Sequence, residues 1–185
     1  EFRRVLFRSN LTLQVFQNGR HRALSFDAAE AVSRAQVYLE GPDGQRQPCA
    51  WTGAGHRCPN GKTVAREWHE VHFAPYPCLR LDAPGGATRV VAEFEAPATA
   101  TTALEAGYPW EWGSCKEGCS ASTVTLEVDG RAQPLALPLG DETMHRLEGP
   151  ALREGARVRV AFGAENPNAR VACVVLTGTA PGSAP

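Results

Sequence analysis

Apolar and polar residues alternate with a period of two along most of this chain, the pattern of strands with one face buried and the other wet. Leu11-Thr12-Leu13-Gln14-Val15-Phe16 shows it first and Asn18-Gly19 breaks it; Gln36-Val37-Tyr38-Leu39-Glu40 follows, ended by the turn tetrapeptide Gly41-Pro42-Asp43-Gly44. Arg46 to Thr52 and His56-Arg57-Cys58 flank Gly53-Ala54-Gly55 as a hairpin, and Glu67 to Phe73 reads as a half-buried strand that Pro75 and Pro77 end. Cys78 to Asp82, Thr88 to Glu95 and Ser122 to Val128 are the strongest core strands, and Asp129-Gly130 is a two-residue hairpin turn leading into Ala132 to Leu137. Thr143 to Leu147, Ala156 to Phe162 and Arg170 to Leu176 complete the set. The last of these is nearly continuous in apolar residues, as expected of a strand covered on both faces.

Only Phe26 to Ala35 has helical composition, enough for at most one short helix. About ten short strands with turns every eight to twelve residues, and no helices between them, predict an all-β fold: an antiparallel two-sheet β-sandwich. One domain is expected over 10–178, followed by a polar Pro/Gly/Ser tail over 179–185 that reads as disordered. The opening Glu1-Phe2-Arg3-Arg4-Val5-Leu6-Phe7-Arg8-Ser9 resembles a translated adapter scar and is set apart from the fold; its other reading is the basic flank of a lost signal. The chain begins without Met, so it reads as a fragment, with a membrane anchor or signal expected upstream.

Composition narrows the function classes. Hydrophobic residues make up 43% and charged residues 21% of 185, a globular balance, and 18 Gly with 14 Pro suit a turn-rich fold. A net charge of −1 supplies no basic field for nucleic acid or an anionic membrane, and no apolar run is long enough to span a bilayer. No pattern sets an oligomeric state.

Cys49, Cys58, Cys78, Cys115, Cys119 and Cys173 are an even set, which favours an oxidising compartment, the periplasm or cell surface. Cys49 and Cys58 bracket a Gly-rich turn and Cys115 and Cys119 a three-residue loop, so each pair can close locally. Cys78 and Cys173, each in a strand-like run, remain as a long-range staple, worth about 4 to 5 kcal/mol in the chain-entropy model. The alternative is free buried thiols packing as small hydrophobes.

From Thr123 onward, a strand ending Val128-Asp129-Gly130, a return strand, Glu154-Gly155-Ala156-Arg157-Val158-Arg159-Val160 and a final apolar strand resemble galactose-binding-like jelly-roll domains. Trp68, Val71, Pro77-Cys78-Leu79, Ala83-Pro84-Gly85-Gly86 and Arg89-Val90-Val91 resemble the extracytoplasmic β-sandwich appended to bacterial multi-pass membrane proteins of glycosyltransferase type. That resemblance implies a periplasmic appendage rather than a catalytic part. The chain departs from it where Tyr108-Pro109-Trp110-Glu111-Trp112-Gly113 and Cys115 to Cys119 replace a plain Gly-rich loop.

The chemistry-bearing residues admit three functions. The first is a non-catalytic structural or interaction appendage of a larger envelope protein. The second is a carbohydrate-binding module in which Tyr108, Trp110 and Trp112 stack on sugar rings and Glu111 or Lys116 orients hydroxyls; in the competing reading, Trp110 and Trp112 cap an end of the sandwich. The third is a glycan-acting enzyme with carboxylates among Glu67, Glu70, Glu93 and Glu111, but no spacing fixes a pair, and no Gly-x-Ser-x-Gly elbow occurs. Zinc at His56, His69 and His72 with Cys49 and Cys58 is disfavoured, because His69 and His72 on one strand point to opposite faces. No cofactor is implied. The candidate partners are a glycan or an envelope protein. Asn10-Leu11-Thr12 matches a glycosylation sequon, idle in a bacterium.

Overall fold

In the computed structural model, which describes residues 24–109, 121–141, 143–165 and 171–182, two antiparallel sheets stack as a β-sandwich. The strands are β1 (Leu24–Asp27), β2 (Gln36–Glu40), β3 (Arg46–Pro48), β4 (Ala50–Trp51), β5 (Gly55–Arg57), β6 (Thr63–Val71), β7 (Ala74–Asp82), β8 (Arg89–Ala96), β9 (Thr101–Gly107), β10 (Ser122–Val128), β11 (Arg131–Leu137), β12 (His145–Gly149), β13 (Ala156–Ala164) and β14 (Val171–Thr179). The first sheet runs β12-β9-β14-β7-β6-β5-β4, and β1 pairs with β14; the second runs β11-β10-β13-β8-β2-β3. The stretch with helical composition yields a single 3-10 turn, Val32–Arg34. Among the described residues no helix is long and apolar enough to cross a membrane. The strand expected over Leu11 to Phe16 lies outside the described residues.

Alternation decides which side chains meet between the sheets. Leu79, Leu81, Leu104, Val174 and Leu176 from the first sheet face Val90, Leu126, Val160 and Phe162 from the second, and none is more than 1% exposed. Burying each stabilises the fold by roughly 1.5 to 3 kcal/mol relative to exposure. Phe26 and Phe94 close one end edge to face, 5.8 Å apart.

Four features differ from the sequence expectation. Arg46 to Thr52 is not one arm of a hairpin: β3 pairs with β2 in the second sheet, and the chain crosses at Cys49 to pair β4 with β5 in the first. Pro75 and Pro77 do not end a strand but lie within β7, opposite Glu70 and Trp68 of β6. The two-residue turn His72-Phe73 makes Val71 and Ala74 the closing, hydrogen-bonded pair, so both prolines fall on alternate pairs that need no N–H. His72 and Phe73 take φ of 46° and 62°, so His72 is a turn residue rather than a strand residue. β9, central in the first sheet between β12 and β14, escaped the pattern because Leu104 is its only large apolar residue among Thr, Ala, Glu and Gly. Asp129-Gly130 does turn β10 into β11, at φ of 47° and 84°.

All four described cysteines are bridged. Cys49–Cys58 clips the crossover between sheets to the end of β5, across nine residues. Cys78–Cys173 joins β7 to β14 across 95 residues, with Cα atoms 5.1 Å apart and both residues fully buried. Cys115 and Cys119 lie outside the described residues. Loop-closure entropy grows with the loop, so replacing Cys78 and Cys173 together by Ala should cost about 4 to 5 kcal/mol and replacing Cys49 and Cys58 together about 2 to 3 kcal/mol. Guanidinium unfolding midpoints check this; equal losses, or the reverse order, contradict it.

Candidate functional site

Tyr108 follows β9 and faces the core: it is 1% exposed, and its hydroxyl bonds Ser122 Oγ and donates to the Leu137 carbonyl at 3.0 Å. It latches the end of the first sheet to β10 and β11 of the second, so its ring is not presented to a ligand. Trp110, Glu111, Trp112 and Lys116 lie outside the described residues.

The candidate zinc residues do not share a place. Cys49 and Cys58 are bridged and hold no thiolate. His56, 5% exposed, donates from Nε2 to the Val32 carbonyl at 3.0 Å, fastening the 3-10 turn to β5. His69 points to the outer face of the first sheet, 3.2 Å from Glu67, and His72 sits in the β6-β7 turn. Among the described residues no group of three or more His, Cys, Asp or Glu gathers to hold a metal. The carboxylates are also dispersed. Glu67 is tied to Arg80 on the outer face of the first sheet, Glu70 lies on the opposite side of β6, and Glu93 belongs to the second sheet.

A cleft of about 800 Å³ is lined by Leu24, Phe26 and Phe94 and rimmed by Arg34 and the acids Asp27, Glu30, Glu95 and Glu154. Three of the four rim acids are engaged. Asp27 accepts from the Ala29 and Glu30 amides, Glu30 pairs with Arg66 at 2.6 Å, and Glu154 accepts from the Ala98 amide. The cleft therefore offers an apolar floor without a set of converging polar groups of the kind that fixes a ligand.

Two other surfaces are better built. Trp51, His56 and Val64 stand side by side across β4, β5 and β6, and Trp68 lies four residues farther along β6, so both indoles project from the same side of the first sheet. Val64 on that side is in the core, but Trp51 and Trp68 stay 42% and 54% exposed. Trp51 is braced edge to face on His56 at 5.0 Å, and Trp68 stands opposite Pro77. Strand spacing and rise put their backbones about 16 Å apart.

The second surface is the outer face of the second sheet, where Tyr38, Glu40, Glu93, Glu127 and Arg159 alternate with core residues. Arg159 donates to Glu40 and Glu127 at 2.7 Å each and to the Tyr38 hydroxyl at 3.1 Å, and Tyr38 donates to Glu93 at 2.9 Å. Arg46 lies over the Tyr38 ring, 4.5 Å from its centroid. Burial, then the hydrogen bond to Glu93, raises the Tyr38 phenol above its ordinary value. Burial alone would lower Arg159, but its bond to Glu127 and the charges of Tyr38, Glu127 and Glu40 outweigh it and hold the guanidinium above its ordinary value. Sequence reading missed this face: its residues are ordinary polar positions until strand order and register set them together.

No known family model matches the chain, and no curated protein matches its sequence. Among solved structures it is similar to the CBM51-2 and INT domains of Clostridium perfringens ZmpB in complex with GlcNAc, at 10% identity and a TM-score of 0.39, covering 79% of this chain and 26% of that one. It is also similar to the xylan-binding module CBM15, at 11% identity and a TM-score of 0.35, covering 78% and 92%. A third is the CBM22-1-GH10 portion of Clostridium thermocellum Xyn10B complexed with xylohexaose, at 9% identity and a TM-score of 0.33, covering 80% and 26%. The chain thus spans about a quarter of the length of the first and third of these.

Two tyrosines give measurable signatures. Tyr108→Phe leaves Ser122 Oγ and the Leu137 carbonyl short of a buried partner and should lower unfolding stability by about 1 to 3 kcal/mol; an unchanged denaturation midpoint contradicts the latch. Because the Tyr38 pKa is raised on folding, its contribution is fully present below the ordinary value of 10.0 and is lost as pH rises through the folded value. Tyr38→Phe should therefore be less stable at neutral pH, with the gap to the parent protein narrowing as pH passes above 10.0. A gap independent of pH, measured by urea unfolding, argues against a perturbed phenol.

Proposed function

We propose that this chain is a non-catalytic glycan-binding β-sandwich module that works outside the cytoplasm, with Trp51 and Trp68 as its sugar-stacking residues. The observation that carries the reading is the pair of half-exposed indoles on one side of one sheet. Sugar C–H faces gain apolar contact on an indole ring, while uncovered tryptophans have no reason of stability to stay in water. Their separation of about 16 Å suits an extended saccharide better than a single ring. Arg66, between them on the same side of β6 and paired with Glu30, supplies hydrogen-bond donors for hydroxyls.

The two disulfides support an oxidising compartment, since such bonds persist in secreted and periplasmic proteins and are rare in the cytosol. The resemblance to envelope appendages supports a larger parent protein that carries the module. Removing either indole leaves the core untouched, so Trp51→Ala and Trp68→Ala should fold normally while weakening glycan-array binding by about tenfold or more each. Binding unaltered by both substitutions, or no glycan bound by the parent protein, would sink the reading.

A further inference from the structure

The outer face of the second sheet carries a polarity that its formal charge hides. Arg46, Arg89, Arg157 and Arg159 stand against Glu40, Glu93, Glu127 and, opposite Arg157 in register, Glu95, four cations to four anions. They are not interleaved in depth. The side chains of Glu40 and Glu93 are only 9% and 12% exposed, whereas those of Arg46, Arg89 and Arg157 are 50%, 48% and 71% exposed. Glu40 and Glu93 therefore form the floor, and three guanidiniums, with the exposed Glu95 beside Arg157, form the rim.

The rim also converges. Arg46 and Arg89 both reach Glu40, at 3.5 and 2.7 Å, and Arg46 and Arg157 both reach Glu93, at 4.0 and 3.3 Å. One anionic group can thus meet two guanidiniums at once. Each guanidinium carries five N–H donors, and these ion pairs engage one nitrogen of Arg89 and one of Arg157, so the rim presents donors to solvent. The floor is also fixed in advance, because Arg159 and Tyr38 bind both acids and hold them in place.

We propose that this face binds the anionic group of an acidic saccharide, a carboxylate or sulfate carried on a sugar ring, through Arg46, Arg89 and Arg157. Guanidinium forks match planar and tetrahedral oxyanions in bidentate fashion. Next to the arginines lie small uncharged outward residues, Thr123 and Thr125 on β10 and Gly163 beneath the Arg89 stem, a strip bounded by Ala161, which is buried against Tyr38 and Val91. Uncharged rings can lie on such a strip. A polyphosphate backbone would need further cations there, and the chain's net charge of −1 adds no general attraction for one. The choice of a saccharide rests on the glycan-binding reading, but the site does not use the two indoles.

Titration calorimetry on the full chain tests the proposal with four probes: oligogalacturonate for carboxylate, a heparin-derived oligosaccharide for sulfate, a cello-oligosaccharide as the neutral control, and a DNA oligonucleotide for phosphate. At least one acidic saccharide should bind, more weakly as salt is raised, and whichever binds tighter names the anion. Arg46→Gln with Arg157→Gln should weaken that binding by about tenfold or more. Arg46→Lys with Arg157→Lys, which keeps the charge and loses the fork, should fall between. A combined Trp51→Ala and Trp68→Ala variant should lose neutral-glycan binding and keep the anion-dependent increment, so the two readings fail separately. The proposal is overturned if neither acidic saccharide binds, if the neutral one binds the combined tryptophan variant as tightly, if DNA binds better than both, or if the glutamine variants fold and bind like the parent.

Discussion

Strand β14 has β9 along one side and β7, then β1, along the other, with Val174 and Leu176 in the core and Cys173 bridged to Cys78 on the opposite face. A strand buried on both faces has nowhere to satisfy its backbone except in the ladder, so its neighbours must lie in register along its whole length. β7 covers Val171 to Val174, and β1 takes over at Thr177 to Thr179. The bridge holds β7 against β14 near where their pairing ends. Beyond that point the long β6-β7 hairpin stays packed at its end, where Val71 is fully buried against Cys78 and Cys173, with Tyr76 and Met144 against the same cluster. Trp68 is displayed because its strand outruns the core that its own Val64 helps to build.

A similar separation of duties holds in the second sheet. Most of its inward positions are aliphatic or aromatic, and its outward ones carry Tyr38, Glu40, Glu93 and Arg159, held by several hydrogen bonds and ion pairs. Exposed ion pairs contribute little to stability, but here the acids are largely withdrawn from water and each is held by several donors. Leaving one partner unpaired would be costly, so the network favours a single arrangement. Such preorganisation spares a recognition surface the entropy of ordering its side chains on binding. The two surfaces use different chemistry, apolar rings on one sheet and guanidiniums on the other, and neither depends on the other's residues.

Much of the fold is written in local patterns of the chain. Gln36 to Glu40, Ser122 to Val128 and the Asp129-Gly130 turn fall where alternation and turn chemistry put them, because strand periodicity and positive-φ preference are local properties. The Cys49–Cys58 and Cys78–Cys173 bridges follow from spacing and strand context. β9 escaped because a strand of Ala and Thr around Leu104 buries by small volume rather than by apolar contrast. The prolines of β7 misled because their harmlessness depends on which pairs of the hairpin carry hydrogen bonds, a matter of register.

Composition, period and cysteine spacing thus determined the class of this protein: an all-β, disulfide-braced sandwich with no basic field. Each of those is set by neighbours a few residues apart or by sums over the chain. The sites were decided only in three dimensions. Tyr108 looked like a displayed aromatic but turned inward because a carbonyl and a hydroxyl from the other sheet await its oxygen. Trp51 and Trp68 share a side through strand order, and Arg46, Arg89 and Arg157, up to 111 positions apart in the chain (157 − 46), converge on Glu40 and Glu93 through registers no local pattern encodes. Pairing between distant strands is a property of the whole folded chain, and the surfaces it assembles are legible only there.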